Sequence, residues 1–191
     1  MGLITGLNTN TPKNLLLGAG AFFKDYDVTK DTPESAAQKL IGATQGGGSF
    51  NAVPTVRQIQ VEGGKTNVKG LETVDEWVVT MVANVKEVTA DNIALALGAA
   101  KSETTTTPAG YKKITGKNDF EDADYQENIT WIGTLKGSNS PVIIVMKNAL
   151  SLNGMALNVS DRNEAVIPIT LTGHYESGNL DEAPFEIYYP E

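Results

Sequence analysis

Between Gly70 and Gly98 the hydrophobic positions run first with a period of two residues and then with the period of a helix. From Thr73 to Val85 the odd positions Trp77, Val79, Met81, Ala83 and Val85 are apolar, while the even ones mix Val74, Val78 and Val82 with Glu76, Thr80 and Asn84. Successive strand side chains leave opposite faces, so this pattern predicts one long strand with a core face and a half-polar face. Thr89 then offers an N-cap, Asp91 a carboxylate in the first turn, Val88 a staple partner for Ile93, and Gly98 a left-handed stop. Ala90, Ile93, Ala94 and Leu97 form the apolar stripe of that helix, which is expected to cover one open side of a β-structure.

The flanking segments extend the pattern. Ile59 and Val61 alternate with Gln58 and Gln60, Gly63 and Gly64 mark a turn, and Asn67–Leu71 begins the next strand, so the three segments predict an antiparallel ribbon. Upstream, residues 1–20 read as an arm whose Leu15–Leu17 patch either ends in a short strand or stays loose. Phe22, Phe23 and Tyr26 require burial. Thr32, Pro33, Glu34 and Gly42 carry the start and stop signals of a short helix over Asp31–Gly42, and Gly46–Gly48 reads as a flexible joint before the extended Ser49–Pro54.

After the helix, Lys101–Asp119 is rich in Thr, Lys and Gly and reads as a long loop leading into an acidic run. Strands are then predicted around Ile129, Trp131 and Leu135, over Pro141–Lys147 as a central strand, around Met155, Leu157 and Val159, over Val166–Tyr175, and around Phe185, Ile187 and Tyr189. Pro168 cannot donate to a ladder, which puts its strand at an edge or on a bulge. The sum is a mainly β chain: an antiparallel β-sandwich or partly closed barrel of about eight strands with one flanking α-helix. It reads as a single domain over residues 1–191, with an extended N-terminal arm over 1–20 and a long loop over 101–125.

Charge and composition narrow the function. Fifteen basic against 23 acidic residues give a net charge of −8, which opposes tight binding to nucleic-acid phosphates. Cysteine is absent, excluding disulfides, thiolate zinc sites and cysteine nucleophiles. The longest apolar runs, such as Val142–Met146, fall far short of a membrane span, and the N-terminus lacks the basic and apolar regions of an export signal. The chain is therefore expected to be soluble, without a membrane anchor and made in the cytoplasm, with the sequons at Asn128 and Asn158 unused.

Catalytic patterns are scarce. His174, the single histidine, sits in an apolar-alternating strand and reads as structural. No G-x-S-x-G elbow occurs, Gly46–Gly48 lacks the Lys and Ser or Thr of a phosphate loop, and Gly18 and Gly20 lack the third glycine of a dinucleotide fingerprint. Asp119, Glu121, Asp122 and Asp124 have calcium-type oxygens without calcium-hand spacing, and read as a solvated acidic loop. No pair of acids is singled out for glycoside hydrolysis. These absences shift the expectation from an enzyme toward binding or assembly, with no cofactor.

The run Ile41–Phe50, then Val53–Ile59, then Lys69–Leu71 with Trp77, and finally Thr172–Tyr175 and Phe185–Tyr189 resemble, in that order and over nearly the whole chain, the major tail tube protein of long-tailed, non-contractile bacteriophages. The resemblance implies a β-sandwich with a flanking helix that forms hexameric rings, stacked into the tube through which the genome leaves the capsid. It implies a non-enzymatic virion protein of the tail, made in the host cytoplasm. Its implied partners are itself, the tape-measure and tail-tip or terminator proteins, and double-stranded DNA in transient passage.

The residues agree with this at several points. An acidic lumen repels phosphates and lets DNA slide, and exposed edge strands would be paired between copies. On this reading Gln58, Gln60, Glu62, Glu72, Glu76, Thr80 and Asn84 are either the lumen wall or an ordinary solvated sheet face. Gly46, Gly47, Gly48, Asp119, Glu121, Asp122 and Asp124 are candidate inter-subunit loop residues. An alternative from another class is a carbohydrate- or surface-binding virion module, which Tyr111, Tyr125, Tyr188 and Tyr189 would suit.

Overall fold

The computed structural model describes residues 6–64 and 66–191. The described elements are β1 (Leu16–Lys24), β2 (Thr44–Gln58), β3 (Glu72–Val85), α1 (Ala90–Leu97), β4 (Ala100–Thr104), β5 (Lys112–Gly116), β6 (Gln126–Leu135), β7 (Val142–Ala149), β8 (Asn158–Ser160), β9 (Asn163–Gly173) and β10 (Phe185–Tyr188). They form two four-stranded antiparallel sheets, in the orders β1-β6-β7-β10 and β2-β3-β9-β8, and a separate β4-β5 hairpin. Neither sheet closes on itself, so of the two expected architectures the sandwich is the one formed.

The alternation along β3 does what its period requires. Val79, Met81, Ala83 and Val85 are buried between the sheets with Ile167, Ile169 and Leu171 of β9, against Phe22, Ile129, Met146 and Ala149 of the facing sheet. Removing this apolar surface from water is the main force closing the sandwich. Phe22 and Phe23, adjacent in sequence, leave opposite faces of β1. Phe22 enters the sandwich core, whereas Phe23 packs with Tyr26, Ala36 and Ile132 in a second cluster. Tyr26 closes that cluster by donating its hydroxyl to the carbonyl of Asp31 at 2.9 Å.

The helix has the predicted ends but a different buried face. Thr89 accepts from the Asn92 N–H at 3.1 Å, and Gly98 takes φ of 72°. Asn92 and Ala96 are the buried positions, while Ala90, Ile93, Ala94 and Leu97 are half-buried and Val88 is exposed. The Asn92 amide donates to the carbonyls of Ile41 and Glu87, each at 2.9 Å, so a polar side chain is satisfied inside. At the other end the Ser151 hydroxyl donates to the Ala96 carbonyl at 2.7 Å.

Several sequence expectations are corrected. Asp31–Gly42 holds only a 3-10 turn over Ala37–Lys39, because Leu40 bridges Phe23 and the Ile41 N–H donates to Phe22 at 2.9 Å, drawing the chain out straight. Gly46, Gly47 and Gly48 are no joint or loop: they lie inside β2, where the ladder is irregular between Thr44 and Gly48. β2 ends at Gln58, so Gln60 and Glu62 fall in the turn-containing connection 59–71, and Asn67–Leu71 is not strand. The long loop over 101–125 contains the β4-β5 hairpin, whose polar strands show no core face to read. Met155 and Leu157 precede the short β8 instead of belonging to a strand.

The strand of Pro168 is neither at an edge nor bulged: β9 lies between β3 and β8, and Pro168 pairs with Asn84 in a regular ladder. β8 pairs with β9 only as far as Val166, and Thr172 exchanges both of its backbone bonds with Leu150 at 2.8 and 2.9 Å. Alternation then aims the imide of Pro168 to that same outer side, in the gap between the two contacts, where no ladder bond is lost.

Candidate functional site

The expected lumen wall splits in two. Across β2 and β3, Thr55 opposes Glu76 and Val56 opposes Val74, which leaves Asp75 as an extra residue. One surplus residue reverses the parity of everything beyond it. Glu76, Thr80 and Asn84 therefore share the outer face of the sheet with Asn51 of β2 and Thr172 of β9. Glu72, paired with Gln58, instead lies on the face of Trp77 that continues the core side. The Gln58 amide nitrogen is buried without a hydrogen-bond partner, and Glu72 accepts from the Gly70 N–H at 3.1 Å. Arg57 pairs with Asp75 at 3.1 Å, so the extra residue is held from across the ribbon.

The acidic run is folded on itself. Glu121 and Asp124 cap a 3-10 turn over Asp122–Asp124 reciprocally, and Lys117 reaches both carboxylates, at 2.9 Å to Glu121 and 2.7 Å to Asp124. Burial pushes the Asp124 carboxyl up, but the bonds from Lys117 and from the Glu121 N–H outweigh it and hold the group below the usual carboxylate range. The Asp124 carboxylate first, and then that of Glu121, raise the Lys117 ammonium. Asp119 and Asp122 are exposed. The run thus contains an internal staple, with Asp119 and Asp122 left to solvent.

A second staple fastens the C-terminal strand. Lys147 of β7 lies 2.5 Å from both Glu182 and Glu186, which raise its ammonium, and Glu186 is lowered by Lys147 and then by the Tyr188 hydroxyl. His174 carries its Nδ1 at 3.0 Å from the Asn148 carbonyl, an acceptor, which makes Nδ1 the protonated nitrogen. Its ring meets Tyr125 edge-on at 5.2 Å. His174 follows directly on the end of β9 at Gly173, just outside the strand in which the sequence placed it.

A polar cleft of about 430 Å³ opens between α1, the 3-10 turn at Ala37–Lys39 and the turn at Asp122–Asp124. Lys39 there is engaged with Asp31 at 2.6 Å, Glu87 with the Ala43 N–H at 2.8 Å, and Asp124 with Lys117. The cleft is a seam held by its own ion pairs. The tyrosines lie on separate elements: Tyr111 in the β4-β5 connection, Tyr125 against His174, Tyr188 and Tyr189 at the C-terminal edge. Among the described residues no three His, Asp or Glu side chains gather at metal-binding distance, and no helix is long and apolar enough to cross a membrane.

What sequence reasoning passed over is the apolar surface of the overhanging hairpin. β9 pairs with β3 only over Val79–Val85, so among the described residues β2 is the only strand paired with Glu72–Val78, although the Trp77 N–H donates to the Tyr175 hydroxyl at 2.7 Å. Val53, Val56, Val74 and Val78 are all exposed there. The signal was present in the run of valines, but an alternation of two faces implied that each would meet a partner. The class defined by this geometry is an antiparallel β-sandwich with one helix, edge strands β1, β10, β2 and β8, and a two-stranded overhang. No protein-family model matches the chain, and no curated protein matches it.

Proposed function

We propose that this chain is a self-assembling structural subunit of a phage tail tube, forming hexameric rings that stack into a conduit for DNA ejection. The observation that carries the reading is β2, an edge strand of fifteen residues with Val53 and Val56 exposed. Long edges of that kind are normally covered, twisted away or charged, and pairing between copies disposes of them. The acidic balance of −8 supports the same reading, because a conduit for DNA works better when its wall does not hold phosphates. In such a tail the partners are further copies, the tape-measure and tail-tip or terminator proteins, and DNA in passage, and no cofactor takes part.

Negative-stain electron microscopy of the purified protein, over a concentration series and with light scattering in parallel, tests this. Rings or tubes with sixfold end views are expected. A species that stays monomeric at the highest concentrations, with and without preformed tail tips as seeds, overturns the reading.

A further inference from the structure

The overhang and a groove elsewhere on the same chain are complementary. On the face of Trp77, beyond its 5.4 Å contact with Phe185, the facing sheet ends, and Val56 and Val74 are left 53% and 49% exposed. Ile59, Val61 and Val68 in the connection at the tip are 45%, 56% and 47% exposed. Glu72 stands on this same apolar face.

The groove lies between the edge strands β1 and β2 on the open side of the sandwich. It measures about 590 Å³ and is lined by Leu16, Ala19, Phe50, Trp131 and Ile144 over the backbone of Gly46–Gly48, with no charged side chain. Beside it Leu15 and Leu17 are exposed. The Leu15 carbonyl accepts from the Lys136 N–H at 3.0 Å and the Lys13 carbonyl from the Gly137 N–H at 2.8 Å, which brings Lys13 and Lys136 to this end. Among the described residues neither lysine makes a salt bridge. One surface is therefore apolar with Glu72 on its face, the other apolar with Lys13 and Lys136 at its end.

Both surfaces lie along β2, the groove at Gly46–Phe50 and the overhang from Val53 outward. A straight strand cannot fold its far end onto its near end, so one molecule cannot join them. We infer that the overhanging β2-β3 ribbon seats in the β1/β2 groove of a second copy of this chain, with Val56 and Val74 on Leu16, Ala19 and Trp131, and Glu72 toward Lys13 or Lys136. The contact is head-to-tail: each copy offers a ribbon and a groove, and repetition closes a ring or propagates a filament. This inference rests on the self-assembly reading above and supplies the pair of surfaces it uses.

The absence of native cysteine makes cross-linking a clean test. A Val74→Cys/Ala19→Cys variant, oxidised mildly under assembly conditions, is expected to give a ladder of disulfide-linked oligomers, whereas each single variant stops at a dimer. In parallel, Val56→Asp/Val74→Asp should raise the concentration needed for assembly by about tenfold or more, equivalent to about 1.4 kcal/mol. Both sites are exposed, and an unchanged circular dichroism spectrum and melting temperature verify that the fold is intact. Wild-type tubes together with normally assembling Asp variants and no ladder overturn this contact and leave the tube reading standing. A ladder without rings or tubes in the wild type supports the contact and overturns the tube reading. Wild-type protein that neither assembles nor, as the cysteine pair, forms a ladder overturns both.

Discussion

At Gly48 an added Cβ would lie 2.0 Å from the Val82 carbonyl and 2.6 Å from the Phe22 ring, so β2 approaches β3 and the core more closely than any side chain permits. Gly48→Ala is expected to destabilise the chain by about 3 kcal/mol, read as a lower urea midpoint. Gly63→Ala, whose Cβ meets nothing within 4 Å but whose φ is 83°, should cost about 1 kcal/mol. Asp124 makes a prediction in pH. Its carboxyl is depressed in the folded state, so its contribution is present above the ordinary carboxylate range and is lost as pH falls through the folded value. Melting temperature should therefore fall as acid is added below about pH 4, and Asp124→Asn should remove part of that slope while lowering stability at neutral pH. Equal slopes in the two proteins would mean that the Lys117 staple contributes nothing to acid sensitivity.

Elements were legible in the sequence wherever one face was apolar and the ends carried their own signals. The strand through Trp77–Val85 and the helix between Thr89 and Gly98 are of this kind, as are the strands at Val142–Ala149 and Phe185–Tyr188. The β4-β5 hairpin was not legible, because Lys101, Glu103, Lys112 and Thr115 are exposed and leave no burial period to read. Nor was the turn at Ala37–Lys39, where a long-range bridge from Leu40 to Phe23 overrides local helix signals. Of the candidate surface, Glu76, Thr80 and Asn84 share one face of the sheet. Gln58 and Glu72 lie on the opposite face, a split the sequence hides because nothing in the residue types at 74–76 announces which one the ladder will skip. Helix docking has its own test. Asn92→Leu leaves the Ile41 carbonyl without its donor and the Glu87 carbonyl with only the Thr89 N–H, and should cost about 2 kcal/mol by chemical denaturation, although it makes the helix more apolar.

At the scale of the whole molecule, the proposed tube would give the two faces that part Glu76 from Glu72 different tasks, wall and contact. If the proposed tube carries DNA along the outer sheet face, Glu76→Lys there should slow DNA release several-fold, since a cation on the wall holds phosphates. Unchanged release kinetics would remove that face from the lumen. Glu72→Lys, on the docking face, is expected to raise the assembly threshold and leave release from the tubes that do form unaltered. High salt should blunt both effects, because both act between solvent-exposed charges.

Asp75 is surplus to the β2-β3 ladder, so deleting it should keep every cross-strand partner and every face as they are, at the cost of Arg57's partner. What would alter is direction. An extra residue on one strand bends and twists it locally, so the angle at which the arm leaves the body, and with it the stagger between copies in the proposed assembly, hangs on whether a single residue is present.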